Sequence, residues 1–207
     1  MEMKIDMSVR RKLILSFIIL VLIPITVIGY LTYYKSKQII ENKTNRYTYD
    51  ILNEVGKNLE FQLNQVQQLS RMLCINPSIQ RALREESSGI KKEYNKVLNA
   101  TIIDRVLLDS ILSRSDVDSI YIVSNSNTMY YSSLSIRTFE LPEHTKQIIA
   151  SAKGEVVWLS PDIQRGVIPM ARTIFNLENH NVLGYLIINV RESYLYSIYK
   201  DIKFYRY

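Results

Sequence analysis

The residue types that carry out chemistry are few in this chain and poorly spaced for it. The two histidines, His144 and His180, lie outside metal-ligand spacing of each other and of the single cysteine, Cys74, so the pattern predicts no metal site. The six glycines are dispersed and form neither a phosphate loop nor a dinucleotide fingerprint. No nucleophile elbow occurs. Asp116 and Asp118 are a close carboxylate pair, but they directly precede a strand-like run, where turn formation and capping explain them better than acid–base work. The chain is expected to carry no catalytic residue and no cofactor of its own.

What remains is recognition chemistry. Tyr121, Tyr130, Trp158, Arg172, Tyr185 and Asn189 lie on or near apolar, strand-like segments. Aromatic walls with a few polar groups suit small-molecule binding; strands also favour Tyr and Trp for packing alone. Arg172 is the strongest candidate, because an arginine amid apolar strand residues needs a partner, and a carboxylate or a polyol supplies one.

These residues must be positioned by a scaffold, and the chain spells one out. Residues 13–34 contain no charged side chain and follow Arg10, Arg11 and Lys12. A helix of that length reaches about 33 Å, enough to cross a hydrocarbon core of about 30 Å. Tyr30, Tyr33 and Tyr34 at its end suit an interfacial aromatic belt, which argues for a retained anchor over a cleaved signal peptide. Basic residues flank both ends, but the tight cluster on the short side favours a cytoplasmic amino terminus, with everything after residue 34 outside the cytoplasm. A lone cysteine excludes an intrachain disulfide, so an exported domain must be held by packing. Of the chain's net charge of +6, the residues after 34 carry +4, spread without long blocks, which reads as a solvated surface, not a nucleic-acid footprint.

After the span, Leu52, Val55, Leu59, Val66, Leu69 and Leu73 recur in three- and four-residue steps with Gln62 in the seam, predicting a long stalk helix ended by Asn76-Pro77. That stripe serves either its own domain or the same helix of a second copy, which would make a homodimer. A short helical turn is expected over 78–83 and a second helix over about 90–112, where Tyr94, Leu98, Ile102 and Val106 adjoin Val97, Ile103, Leu107 and Ile111 in a wide apolar face. The period then changes. Strands are expected at 119–123, 128–132, 155–159, about 170–175 and 182–190, with a short helix at 143–152 closed by Gly154. Pro169 would mark a strand start or an edge. Isoleucines 120 and 122 would face the core and leave Tyr121 on the opposite face. The order defines an α+β domain with an antiparallel sheet of about five strands and segregated helices.

Several phrases carry a family resemblance. They are Ile14-Leu15-Ser16-Phe17 through Ile23-Pro24, Leu73-Cys74-Ile75-Asn76-Pro77-Ser78-Ile79-Gln80, Ser119-Ile120-Tyr121-Ile122, Ala171-Arg172-Thr173-Ile174 and Leu183-Gly184-Tyr185-Leu186-Ile187-Ile188-Asn189. Together with the anchor and stalk, they resemble the amino-terminal half of YesM-type sensor histidine kinases, whose extracytoplasmic part is a Cache, PAS-like module. The resemblance implies a transmembrane helix continuing into a long stalk helix and a PAS-like (Cache) domain. It divides the chain into a cytoplasmic start (1–12), a transmembrane helix (13–34), an extracytoplasmic stalk (35–76) and a sensor domain (77–207), the last incomplete at its end. It also implies a bacterial two-component system, a homodimer through the stalk and a stimulus that is either a small molecule or a solute-binding protein. The kinase parts of that family are missing here, and Ser78 stands where the family's phosphoacceptor motif requires histidine. Other expected settings are a membrane-tethered AraC-type regulator, a chemotaxis receptor and a stand-alone anchored surface protein.

Overall fold

The computed structural model describes residues 9–88, 93–133 and 141–200. The chain divides into two compact units, Met1–Glu54 and Val55–Tyr207. The start of the second helix, expected near residue 90, and the aromatic, basic stretch from Lys203 to Tyr207 lie outside the described residues.

In the first unit the described chain is helical throughout, the amino-terminal part of α1 (Val9–Cys74). Among the described residues this helix alone is long and apolar enough to cross a membrane, and none of its apolar window is buried within the protein. Pro24 sits inside the helix, as a membrane environment tolerates.

The second unit contains the end of α1, α2 (Pro77–Ser87), α3 (Glu93–Leu112), β1 (Val117–Ser124), β2 (Met129–Ser133), α4 (Glu143–Ser151), β3 (Val157–Trp158), β4 (Val167–Phe175), β5 (Val182–Arg191) and α5 (Glu192–Tyr199). Asn76 explains the break between the first two helices. Its Oδ1 accepts from the backbone N–H groups of Ser78 and Ile79 while Pro77 occupies the first turn, where a missing N–H does no harm. The expected turn at 78–83 is thus a complete helix.

The strands form one antiparallel sheet in the order β2-β1-β5-β4-β3. Its residues alternate between two apolar layers. One layer joins Ile120, Ile122, Tyr130, Met170, Ile174, Leu186 and Ile188 to Val66, Leu69 and Leu73 of α1, Ile79 and Leu83 of α2, and Ile103, Leu107 and Ile111 of α3. The other joins Tyr121, Val123, Ala171 and Ile187 to Leu141 and to Ile149 of α4. Isoleucines 120 and 122 therefore face the long helices and Tyr121 faces away from them, as their alternation implies.

The structure decides one open alternative and corrects three expectations. The apolar stripe of α1 is turned toward its own domain at Val66, Leu69 and Leu73, which are nearly inaccessible. The face of α3 is narrower than its composition suggests: Val97 and Leu98 are exposed, Ile102 and Val106 are half-buried, and among its described side chains only Ile103, Leu107 and Ile111 are fully buried. The third strand shrinks to two residues, because only Val157 and Trp158 pair with β4. Strand β4 starts earlier than expected, so Pro169 lies inside it, opposite Asn189.

Candidate functional site

The sheet carries polar and aromatic groups on both faces, and the six candidate residues divide three and three. On the α4 side, cross-strand pairing sets them in rows. Val123, Tyr185 and Thr173 form one row, Tyr121, Ile187 and Ala171 the next, and Ser119, Asn189 and Pro169 the third. Tyr121, Tyr185 and Asn189 thus share one surface spanning β1, β5 and β4. Tyr130, Arg172 and Trp158 lie on the opposite side, paired with Ile122, Leu186 and Met170.

On the α4 side each polar group has a defined role. Asn189 donates from Nδ2 to Ser119 Oγ at 2.8 Å, a fully buried side-chain pair between neighbouring strands. Thr173 Oγ1 donates to the Ile149 carbonyl of α4 at 3.1 Å, which ties the covering helix to β4. Met129, Leu159 and Tyr185 are only partly buried at the rim of this layer. The surface is therefore an apolar floor with a hydroxyl, a carboxamide and a half-buried phenol, roofed on one side by α4. Tyr121, Thr173 and Asn189 are themselves almost inaccessible, so of the candidate residues on this face Tyr185, at the rim, is the one open to a small organic molecule.

Gly184 fixes how closely β1 and β5 approach. A Cβ there would stand 2.5 Å from the Val123 carbonyl oxygen, so only glycine fits between Leu183 and Tyr185.

On the helix side, the polar groups fasten elements together. Tyr130 donates through its hydroxyl to Glu86 Oε2 at 2.9 Å, and Ser124 donates to Glu86 Oε1 at the same distance. Ser126 also donates to Oε1. Burial alone would raise the Glu86 carboxyl, but hydrogen bonds from Ser126, Thr128, Tyr130 and Ser124 outweigh it and hold the group below its ordinary range. The same contact acts on Tyr130: burial, then the Glu86 bond and charge, then the Asp104 charge, all push its phenol upward. Glu86 thereby pins the β1–β2 hairpin to the end of α2. Sequence reasoning missed this glutamate; the run Ser124-Asn125-Ser126-Asn127 was legible only as a turn.

The acidic pair has a structural occupation. Arg114 grips Asp116 with two bonds, Nε to Oδ1 at 2.9 Å and Nη2 to Oδ2 at 2.6 Å, and Arg191 lies 3.7 Å from Asp118. His144 and His180 are exposed, and His180 adopts φ 59° in the turn before β5. No group of three or more metal-ligating side chains occurs among the described residues.

This five-stranded sheet, with long helices on one face and α4 on the other, has the Cache/PAS-like fold of extracytoplasmic sensor domains. Among solved structures it is similar to the extracellular domain of the histidine kinase vpHK1S-Z8, with TM-score 0.57 and 18% identity over 77% of this chain and 61% of that one. It is also similar to a domain of a sensory box/GGDEF family protein from Vibrio parahaemolyticus, with TM-score 0.54 and 18% identity over 76% of this chain and 63% of that one. The chain thus spans about six-tenths of the length of either. No protein-family model and no curated protein matches the sequence.

Proposed function

We propose that this chain is the signal-sensing region of a membrane receptor and that it serves as the input half of a sensor histidine kinase of YesM type. The observation that carries the reading is the division of labour across the sheet. One face is packed against the end of α1, the helix that also contains the apolar span. The other face buries Tyr121, Thr173 and Asn189, is tied to α4 through Thr173, and leaves Tyr185 at its rim. A molecule bound on the α4 face is separated from α1 by a single layer of strand, so the two faces can bias one another through β4 and β5. The fold shared with a histidine-kinase extracellular domain supports the kinase output. The same fold in a GGDEF-family protein keeps other outputs in view, an AraC-type regulator or a chemotaxis receptor among them.

In this reading residues 1–12 are cytoplasmic, 13–34 cross the bilayer, 35–76 form the extracytoplasmic stalk and 77–207 the sensor domain. Two copies associate through the membrane-proximal part of the stalk. Leu52 is half exposed there, whereas the later members of its stripe are committed to their own domain. The stimulus is a small molecule bound on the α4 face, or a solute-binding protein presenting one.

The test is hydrogen exchange on the full chain in detergent, with and without compounds that raise its thermal midpoint in a panel of amino acids, organic acids and sugars. Protection concentrated in α4, β4 and β5 is expected. Protection elsewhere, or no stabilising compound, contradicts direct small-molecule sensing.

A further inference from the structure

The side of α1 that its own domain leaves uncovered has a distinctive composition. Phe61, Gln65, Gln68, Met72 and Ile75 recur in steps of four, three, four and three residues. That spacing keeps one side of a helix against a neighbouring helix. Ile75 continues the helical path, its N–H donating to the Arg71 carbonyl at 3.1 Å. The row is turned away from Val66, Leu69 and Leu73, which the domain buries. Phe61 is 57% exposed, Met72 66% and Ile75 57%. A groove on this side is lined by Phe61, Asn64, Gln65, Gln68 and Arg71.

Charge sets this stretch apart. From Lys35 to Glu60 a charged side chain recurs every few residues, whereas from Phe61 to Ile75 the only one is Arg71, a step outside the row. A helix side that meets water alone is ordinarily rich in charge. Loss of Lys, Glu and Asp with retention of Phe, Met and Arg is the composition at the centre of a protein–protein contact. The residues that stand in place of charges indicate the partner. In a parallel pair about a two-fold axis each seam residue meets its own copy, so a charge there repels itself. A Gln amide carries both a donor and an acceptor and can bond its twin.

We propose that the row Phe61, Gln65, Gln68, Met72 and Ile75 is the surface on which α1 meets the same row of a second copy, the two helices running parallel. Phe61, Met72 and Ile75 bury apolar area against their twins, and the Gln65 and Gln68 amides pair across the axis and hold the register. The row spans about 21 Å of helix, a short seam for a stable dimer in free solution. Confinement of both anchors to one bilayer raises the effective concentration at which the two rows meet. The inference rests on the pairing of two copies proposed above and names the surface that the sensor unit contributes to it.

The test uses the full chain with Cys74→Ala in lipid vesicles, carrying single cysteines oxidised with copper phenanthroline. Gln68→Cys and Met72→Cys should cross-link into dimers at least tenfold faster than Lys153→Cys, which is exposed elsewhere on the domain. Ile51→Cys, exposed on the membrane-proximal stalk, reports on pairing by itself. Gln68→Glu and Gln68→Lys should each slow cross-linking through Met72→Cys at least tenfold with helical content unchanged, and vesicles holding both variants should recover it. Cross-linking at Ile51→Cys but not at Gln68→Cys or Met72→Cys would leave the copies paired and overturn this seam alone. No cross-linking at any of the three would overturn the pairing and the seam together, leaving the row to a different protein. The seam is also overturned if Gln68→Glu cross-links as fast as the parent, or if mixing the two charged variants restores nothing.

Discussion

Tyr130 donates its hydroxyl to Glu86 at 2.9 Å, joining the β1–β2 hairpin to the carboxy-terminal turn of α2. Ser124, Ser126 and Thr128 crowd the same carboxylate, so the hairpin depends on one charge. Glu86→Gln keeps the shape and removes the charge, and should cost about 1 to 2 kcal/mol, the difference between charge-assisted and neutral hydrogen bonds to a partly exposed group. The sign of the pH dependence follows from the lowered carboxyl. The contribution is fully present above the unfolded value of about 4.3 and is lost as pH falls through the lower folded one. Thermal melts of wild type and Glu86→Gln should therefore differ at neutral pH and converge in acid. Equal melts at neutral pH would show that the cluster contributes nothing.

Two glycines should respond oppositely to alanine. At Gly184 a Cβ would lie 2.5 Å from the Val123 oxygen, backbone that cannot yield without moving β1, so Gly184→Ala should destabilise by about 1 to 3 kcal/mol. At Gly56, within α1, a Cβ meets nothing within 4 Å. Gly56→Ala should stabilise the helix by roughly 0.5 to 1 kcal/mol. Chemical denaturation of both variants checks the pair.

Much of this architecture was legible in the chain, for reasons visible in particular residues. The alternation of Ile120 and Ile122 with Tyr121 and Val123 assigns faces because a strand has period two, and Asn76-Pro77 marks a break because proline restricts its neighbour. The division of the six candidate residues was less accessible. Both faces of β4 are buried, Met170 and Ile174 on one and Ala171 on the other, so its composition does not say which side faces the long helices. Gln80 and Phe175 are 95 residues apart and meet only in the fold. Glu86 looked like one more solvated charge at a helix end because its four hydroxyl partners all come from a hairpin later in the chain.

Cys74 should be a slow nucleophile. Burial pushes its thiol up to about 12 despite the opposing Arg172 charge, so almost no thiolate exists at neutral pH. Alkylation by iodoacetamide at pH 7.5 should be far slower in the folded chain than in denaturant. Stability from this thiol is present below its unfolded value of about 8.5 and lost as pH rises toward about 12. A folded-state rate equal to that of the denatured control would contradict the shielding of this half-buried thiol.

Orientation in the membrane has its own measurement. A cysteine replacing exposed Asn125, in a Cys74→Ala background, should react with a membrane-impermeant maleimide in intact cells, and one replacing Lys4 should not. The reverse pattern would place the sheet in the cytoplasm and remove extracytoplasmic sensing.

In the proposed function the α4 face of the sheet receives the stimulus. Isothermal titration of the compound that most stabilises the full chain, against wild type, Tyr185→Ala and Arg172→Met, addresses it most directly. Tyr185 is a half-buried rim residue of that face, whereas Arg172 lies on the other. Affinity at least tenfold weaker in Tyr185→Ala and unchanged in Arg172→Met is the expected result. Unchanged affinity in Tyr185→Ala, with binding lost in Arg172→Met, would move the stimulus to the helix face and contradict the account.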